Sequence, residues 1–400
     1  MRRILGIICV VLVLFTGCSR DETEIPPMEE VTHQEIEFKE VQLDFYIQEE
    51  MALAPYEPMN GVYLGAYVER NAVLDNDIKK FEEQIGQKQA FRVFQYNSDD
   101  PISSSDVLEC IANKQVPYIK YLFDDTKGIN DVYHLIGDLS SVYRTPMFIE
   151  LYPVTSSMTN PKTYNNQYQE AYQLIKRYLS ESTIVWSIDH TRVEDVSIYY
   201  PGDEYVDWVG LNMFLPRLRN GEIAQDNYSS IIDMWYKTFQ STKPMMLTSL
   251  GVSYFSSEDY IYTTSEAKDK LEYFYSELPE KYPRIKGILY VDANMQEMGG
   301  KEDYRISVET AITSHVNMLM ENDIFLHELQ THSDDVADQY IYYSIPALTY
   351  GDKYYIESIY AQEIFDPHLL VNVPVFRDLE GTVYYPTDEI TKYINAFYIP

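Results

Sequence analysis

Positive charge, cysteine and long apolar runs are all scarce in this chain. Its 400 residues carry 31 lysines and arginines against 63 aspartates and glutamates, a net charge of −32. A surface so acidic repels nucleic acid phosphates and disfavours peripheral docking on anionic lipid. Only Cys9, Cys18 and Cys110 are present, too few for a disulfide framework or a four-thiolate zinc centre. Neither a metal nor a cofactor is expected. In His327-Glu328-Leu329-Gln330-Thr331-His332 the histidines stand at i and i+5, whereas a zinc protease motif needs i and i+4 on one helical face. Ser333-Asp334-Asp335 with Asp338 lacks the glycine and the bidentate glutamate of a calcium loop. There is no Gly-rich phosphate loop, and Gly299-Gly300 reads as a turn. The apolar run Ile4–Phe15 covers 12 residues, short of the roughly 20 that span a bilayer.

What is present points outward from the cell. Arg2 and Arg3 precede that apolar run, and Thr16-Gly17-Cys18 follows it, a secretory signal in form. The small residues before Cys18 resemble a bacterial lipoprotein cleavage box, with Phe15 where leucine is usual. The resemblance implies a signal peptide over 1–17, a lipidated (palmitate-bearing) Cys18 as the new N-terminus, and localisation at the cell membrane on its extracytoplasmic face. Cleavage there removes Arg2 and Arg3, taking the charge to −34. Residues 18–60 are acidic and contain Pro26-Pro27, which suits a tether. Within them, 36–47 alternate in a way that fits a strand.

From residue 61 short β-rich runs alternate with amphipathic stretches. Strands are expected at 62–68, 90–94, 117–121, 146–152, 183–188, 206–211, 244–250 and 285–291. Helices are expected at 75–86, 104–113, 131–143, 165–180, 226–240, 265–281 and 307–321. The link 189–205 has the weakest helical pattern. Eight strands with helices between them over 61–322 predict an α/β fold, a parallel (β/α)8 TIM barrel. Residues 325–400 are Tyr-rich, with short alternating runs (Tyr340–Ile345, Tyr354–Ile359, Val383–Tyr385) punctuated by Pro346, Pro367, Pro374 and Pro386. They read as a small C-terminal α+β or all-β accessory module. It resembles the small repeat module at the N-terminus of copper amine oxidases.

The ends of the barrel strands should carry the chemistry. Tyr199-Tyr200-Pro201-Gly202-Asp203-Glu204-Tyr205-Val206-Asp207-Trp208-Val209-Gly210 resembles the segment before the sixth strand of glycoside hydrolase family 26, the β-mannanase-like barrels. Gly65-Ala66-Tyr67, Tyr168-Gln169-Glu170-Ala171-Tyr172, Val185-Trp186-Ser187, Lys243-Pro244-Met245-Met246, Lys286-Gly287-Ile288 and Asp303-Tyr304-Arg305-Ile306 follow in the family's order. The resemblance implies a retaining glycosidase frame, which needs two carboxylates about 5–5.5 Å apart. The positions of its His-Glu acid/base pair hold Pro153 and Val154. The position of its nucleophile holds Ser249, and that of the orienting tyrosine holds Phe214. None of these can replace what it stands for, so no catalytic residue is expected.

The sequence therefore favours a catalytically degenerate barrel that binds a polysaccharide or a cell-envelope component. Contacts are expected from the aromatics Tyr152, Tyr199, Tyr200, Phe214 and Tyr254 and from Asn212, Asp292 and Asn294, while Trp186 and Trp208 fit the core. Two alternatives stay open. One is an active endo-β-mannanase or β-glucanase with relocated carboxylates, drawn from Glu150, Asp189 and Asp292. The other is a structural envelope or spore-associated protein. Glu150 itself is expected on the barrel floor, paired with a base such as Arg92. An esterase triad of Ser249, His190 and Asp189 lacks the Gly-x-Ser-x-Gly elbow.

Overall fold

The computed structural model describes residues 39–399, apart from 99, 123, 125, 126, 226, 332–335, 379 and 380. The signal peptide, Cys18, most of the tether, and His332, Asp334 and Asp335 lie outside the described residues. Two compact units are present, Glu49–Ile341 and the described residues up to Gln48 and from Tyr342 onward.

The first unit is a closed barrel of eight parallel strands: β1 (Val62–Glu69), β2 (Phe91–Tyr96), β3 (Val116–Tyr121), β4 (Met147–Leu151), β5 (Ser182–Asp189), β6 (Trp208–Leu215), β7 (Met245–Val252) and β8 (Ile285–Ala293). β8 pairs with β1 from Gly287↔Tyr63 to Ala293↔Glu69 and closes the ring. Every residue of β4, β7 and β8 is buried, as parallel strands covered on both faces require. The (β/α)8 expectation is met, with strand limits shifted by a few residues.

The helices are α1 (Ile78–Ile85), α2 (Ser104–Ala112), α3 (Asn130–Leu139), α4 (Pro161–Tyr178), α5 (Val196–Tyr199), α6 (Tyr228–Phe239), α7 (Thr264–Glu272) and α8 (Thr310–Met320). Their starts follow local chemistry. Asp77 accepts from the Lys79 amide ahead of α1, and Asn160 accepts from Thr163 ahead of α4, with Pro161 at its first position, where a missing N–H costs nothing. The weak 189–205 link is a single α-turn between two 3₁₀ turns.

The barrel floor is apolar: Tyr63, Phe91, Tyr118, Phe148, Val185, Trp208, Met246 and Leu289 interdigitate. The Trp208 indole N–H donates to Pro55 O at 2.9 Å, so the chain before β1 covers this end.

Residues 325–341 belong to this first unit, which corrects the expected module start. Phe325 pairs with Val62 beside β1, and the Gln330 amide donates to the Tyr63 hydroxyl at 2.9 Å. The second unit is α+β. Its six-stranded sheet runs Phe376–Arg377, Val383–Pro386, Lys353–Glu357, residues 342–350 of Val336–Tyr350, residues 39–48 of Lys39–Ala52, and Ala396–Ile399. The strand expected over 36–47 within the tether is thus a sheet strand over Lys39–Ala52. Leu43, Phe45 and Ile47 enter that unit's core with Ile345, Ile356 and Phe365, because their period of two puts all three on one face.

Candidate functional site

The polar interior lies toward the C-terminal ends of the strands. Lys120 on β3 and Glu150 on β4 are register partners, and their ammonium and carboxylate meet at 3.2 Å. Lys120 Nζ also donates to Asn212 Oδ1 at 2.7 Å and to Ser249 Oγ at 2.5 Å. Its ammonium thus donates two hydrogen bonds, and its charge has a carboxylate beside it. Glu150 is fully buried. It accepts from Ser187 Oγ at 2.5 Å, Tyr118 OH at 3.1 Å and Asn212 Nδ2 at 3.2 Å. Thr248 Oγ1 donates to Asn212 Oδ1 at 3.0 Å. Five strands thus contribute to one satisfied network. Burial, with the Glu150 charge beside it, holds the Tyr118 hydroxyl well above its ordinary pKa.

Glu150 is thus no partner of Arg92, contrary to expectation. Phe91 points into the floor, so its neighbour Arg92 points out and binds Glu109 at 2.8 Å. Sequence reasoning missed Lys120 altogether. Its one signal was a lysine inside the buried run Val116–Tyr121.

The positions to which the resemblance assigns catalysis lie as follows. Tyr152 adopts φ +51°, a costly conformation for a bulky residue. The chain then rejoins β5 through a bridge between Val154 and Ile188, which leaves Val154 wholly buried. Ser249 faces the Lys120 ammonium. Phe214 is half-buried and lies over Gly251, where a Cβ would meet its ring at 2.8 Å. Tyr304 stands edge-on to it at 5.5 Å.

Several expected ligand contacts serve the frame instead. The Tyr152 hydroxyl donates to Asp131 Oδ1 at 2.7 Å and that of Tyr199 to Met158 O at 2.9 Å, and both rings are buried. Tyr200 packs against Trp186 and Phe239 on the helix side of the barrel. Trp186 and Trp208 are core residues, as expected. Tyr254 is buried, and Asn294 caps the turn after β8 by accepting from the Gln296 amide at 3.1 Å. Asp292 is fully buried. It accepts from Asn71 Nδ2 at 2.7 Å, Ser307 Oγ at 2.7 Å and the Ser307 amide at 3.1 Å. Burial outweighs these donors and pushes its carboxyl up to about 6. Asn212 and Phe214 remain at the mouth.

Asp189, at the end of β5, is half-buried. Burial pushes its carboxyl up to about 6 against the pull of the Lys120 charge and the Ser156 amide. Lying four residues beyond Val185, the register partner of Glu150, Asp189 stands about 13 Å further along the strand at ~3.3 Å per residue.

A parallel (β/α)8 barrel with its polar residues gathered at the strand ends defines the class. Residues 152–292, from the end of β4 through most of β8, match the family model for glycosyl hydrolase family 26. Among solved structures the chain is similar to a modular endo-β-1,4-mannanase from Cellulomonas fimi. The identity is 10%, the TM-score 0.52, and the match covers 84% of this chain and 94% of that one. It is also similar to a family 26 β-mannanase from Bacteroides ovatus, at 12% identity and TM-score 0.49 over 67% of this chain and 90% of that one. No curated protein matches its sequence.

Proposed function

We propose that this protein is a lipid-anchored extracytoplasmic protein whose family 26-like barrel binds a polysaccharide or envelope component without hydrolysing it. The resemblance puts Val154 and Ser249 at the family's carboxylate positions, and one observation supports the reading: the Lys120 ammonium lies against Ser249. Retaining hydrolysis needs an acid to protonate the leaving oxygen and a carboxylate to attack the anomeric carbon. Val154 has no proton to give. Ser249 needs a base to become a nucleophile, and its neighbour is an ammonium that donates to it and is paired with Glu150. Glu150 is held by Lys120 and three neutral donors, and Asp292 by Asn71 and Ser307.

The test is native electrophoresis of the protein starting after Cys18 through gels containing mannan, galactomannan, mixed-linkage glucan or xylan, with assay of new reducing ends. Retardation without new ends is expected. Reducing ends that vanish in Asp189→Asn would establish hydrolysis with relocated carboxylates and reject the reading. Neither signal would reject glycan binding and favour an assembly role with a protein partner. For the anchor, Cys18→Ser is expected to abolish incorporation of labelled palmitate. Unchanged incorporation would reject it.

A further inference from the structure

The loops that follow β6, β7 and β8 build a second feature beside the mouth. Phe255–Ser256, Ile261–Tyr262 and Glu302–Asp303 form a three-stranded antiparallel sheet. Tyr260 is 75% exposed and Tyr262 62%. Phe255 packs against both rings, at 4.6 Å from Tyr262 and 6.3 Å from Tyr260. An exposed cluster of large rings is uncommon on a soluble surface and marks an interaction site.

This cluster is held rigidly. Arg217 is buried and grips Asp259 with two bonds, 2.6 Å and 2.5 Å. Asp259 Oδ1 accepts in turn from the Ile261 amide at 3.1 Å. Glu302 accepts from the Arg217 amide at 2.9 Å and Ser253 Oγ at 2.5 Å. Tyr260 is kept at φ +58°, and its amide donates to Ser256 O at 2.9 Å. A bulky residue stays in that region only where the surroundings over-determine it. Here the outcome is two aromatic faces presented to solvent.

We infer that Tyr260 and Tyr262 form a stacking platform for an uncharged polysaccharide at the rim of the barrel mouth. The inference rests on the glycan-binding reading above and locates its binding surface. Aromatic faces carry negative quadrupole density, which complements the weakly positive C–H faces of pyranose rings. Of the neighbouring carboxylates, Asp259 is paired with Arg217 and Asp303 with Arg305, and Glu302 is buried, which leaves the part-exposed Glu258 to accept sugar hydroxyls. The chain's net charge of −32 repels acidic polymers and anionic lipid headgroups. Charge thus selects a neutral glycan over the other occupants of an aromatic patch.

The experiment measures binding of the full chain to mannohexaose, cellohexaose and polygalacturonate, and to vesicles of phosphatidylglycerol and phosphatidylethanolamine. Tyr260→Ala and Tyr262→Ala, checked for an unchanged unfolding midpoint, are each expected to weaken a neutral oligosaccharide about ten-fold. The double variant should lose it, and Tyr260→Trp should retain it. Polygalacturonate and vesicles should not bind. Neutral-glycan binding that survives the double variant but falls in Phe214→Ala would move the ligand to the mouth. That result overturns the platform and leaves the proposed function standing. A wild type that binds none of the glycans overturns both. Vesicle binding lost in the double variant would make the platform a membrane contact and overturn the inference.

Discussion

The two ends of the barrel interior are built on different physics. The floor is a close-packed aromatic and aliphatic cluster in which Phe148 meets Trp208 edge-on at 5.4 Å and Phe91 at 4.8 Å. A few residues further along the same strands, Lys120, Glu150, Ser187, Asn212 and Ser249 replace apolar contact with a charge-centred hydrogen-bond network. The floor gains stability from every ring it buries. The mouth gains little net stability from its ion pair, because the desolvation of two charges opposes their attraction. An interior that needed only stability would continue the apolar pattern upward. The mouth keeps the polar character of a strand-end site, but its charges are directed at each other.

That contrast can be broken from either side. The largest effect is expected at the floor: Trp208→Ala should lower unfolding free energy by about 4 kcal/mol, through lost transfer energy and the cavity left behind. Urea denaturation measures it, and a loss under about 1.5 kcal/mol would show that the floor is not the stabilising end. Next comes Glu150→Leu, which strands the Lys120 charge and removes the acceptor of Ser187, Tyr118 and Asn212. It should cost about 3 kcal/mol. The double variant Lys120→Met/Glu150→Leu should recover to within about 1 kcal/mol of wild type. A double variant no better than the single would mean that the network, rather than the stranded charge, supports the fold.

The smallest of these effects depends on pH and concerns Asp292. Its carboxyl is raised from 3.8 to about 6 in the folded chain. The stability it contributes is therefore complete below about pH 4 and lost as pH rises through 6. A shift of about 2 units corresponds to roughly 3 kcal/mol at most. Paired urea titrations of wild type and Asp292→Asn at pH 4 and pH 7 should show the wild type losing up to that amount relative to the variant. A difference independent of pH, or one that grows in favour of wild type as pH rises, would refute the raised carboxyl.

Much of the frame was legible in the chain. Strand runs such as Met147–Leu151 are apolar throughout, helix starts carry Asp77 and Asn160, and both signals are local. The 189–205 link was illegible as a regular helix because Pro201 and Gly202 interrupt it and no 3.6-residue period survives. Residues 36–47 were legible as alternating but not as pairing into the second unit's sheet, since the partner strands, Val336–Tyr350 and Ala396–Ile399, lie far along the chain.

The candidate site was less legible. The placing of Val154, Ser249 and Phe214 where a family 26 hydrolase carries its working groups is what the sequence resemblance implies. That Asp292 clamps Asn71 and Ser307 is not implied by it, because Asn71 lies 221 residues from it. Asp292 ends a strand like any rim residue, and only closure of the ring brings Asn71 over it.

The sequence by itself determined the eight-fold alternation, the acidic surface and the identities of the residues at the strand ends, because these depend on composition and on periods of two and 3.6 residues. Tertiary structure alone decided which strand-end residues face one another. Lys120 reaches Ser249 across 129 residues of chain, a meeting set by strand order and register in a closed barrel. The same register turns Glu150 toward Lys120 and leaves Arg92 outside, since inward and outward positions alternate along each strand and only the packed ring fixes which is which.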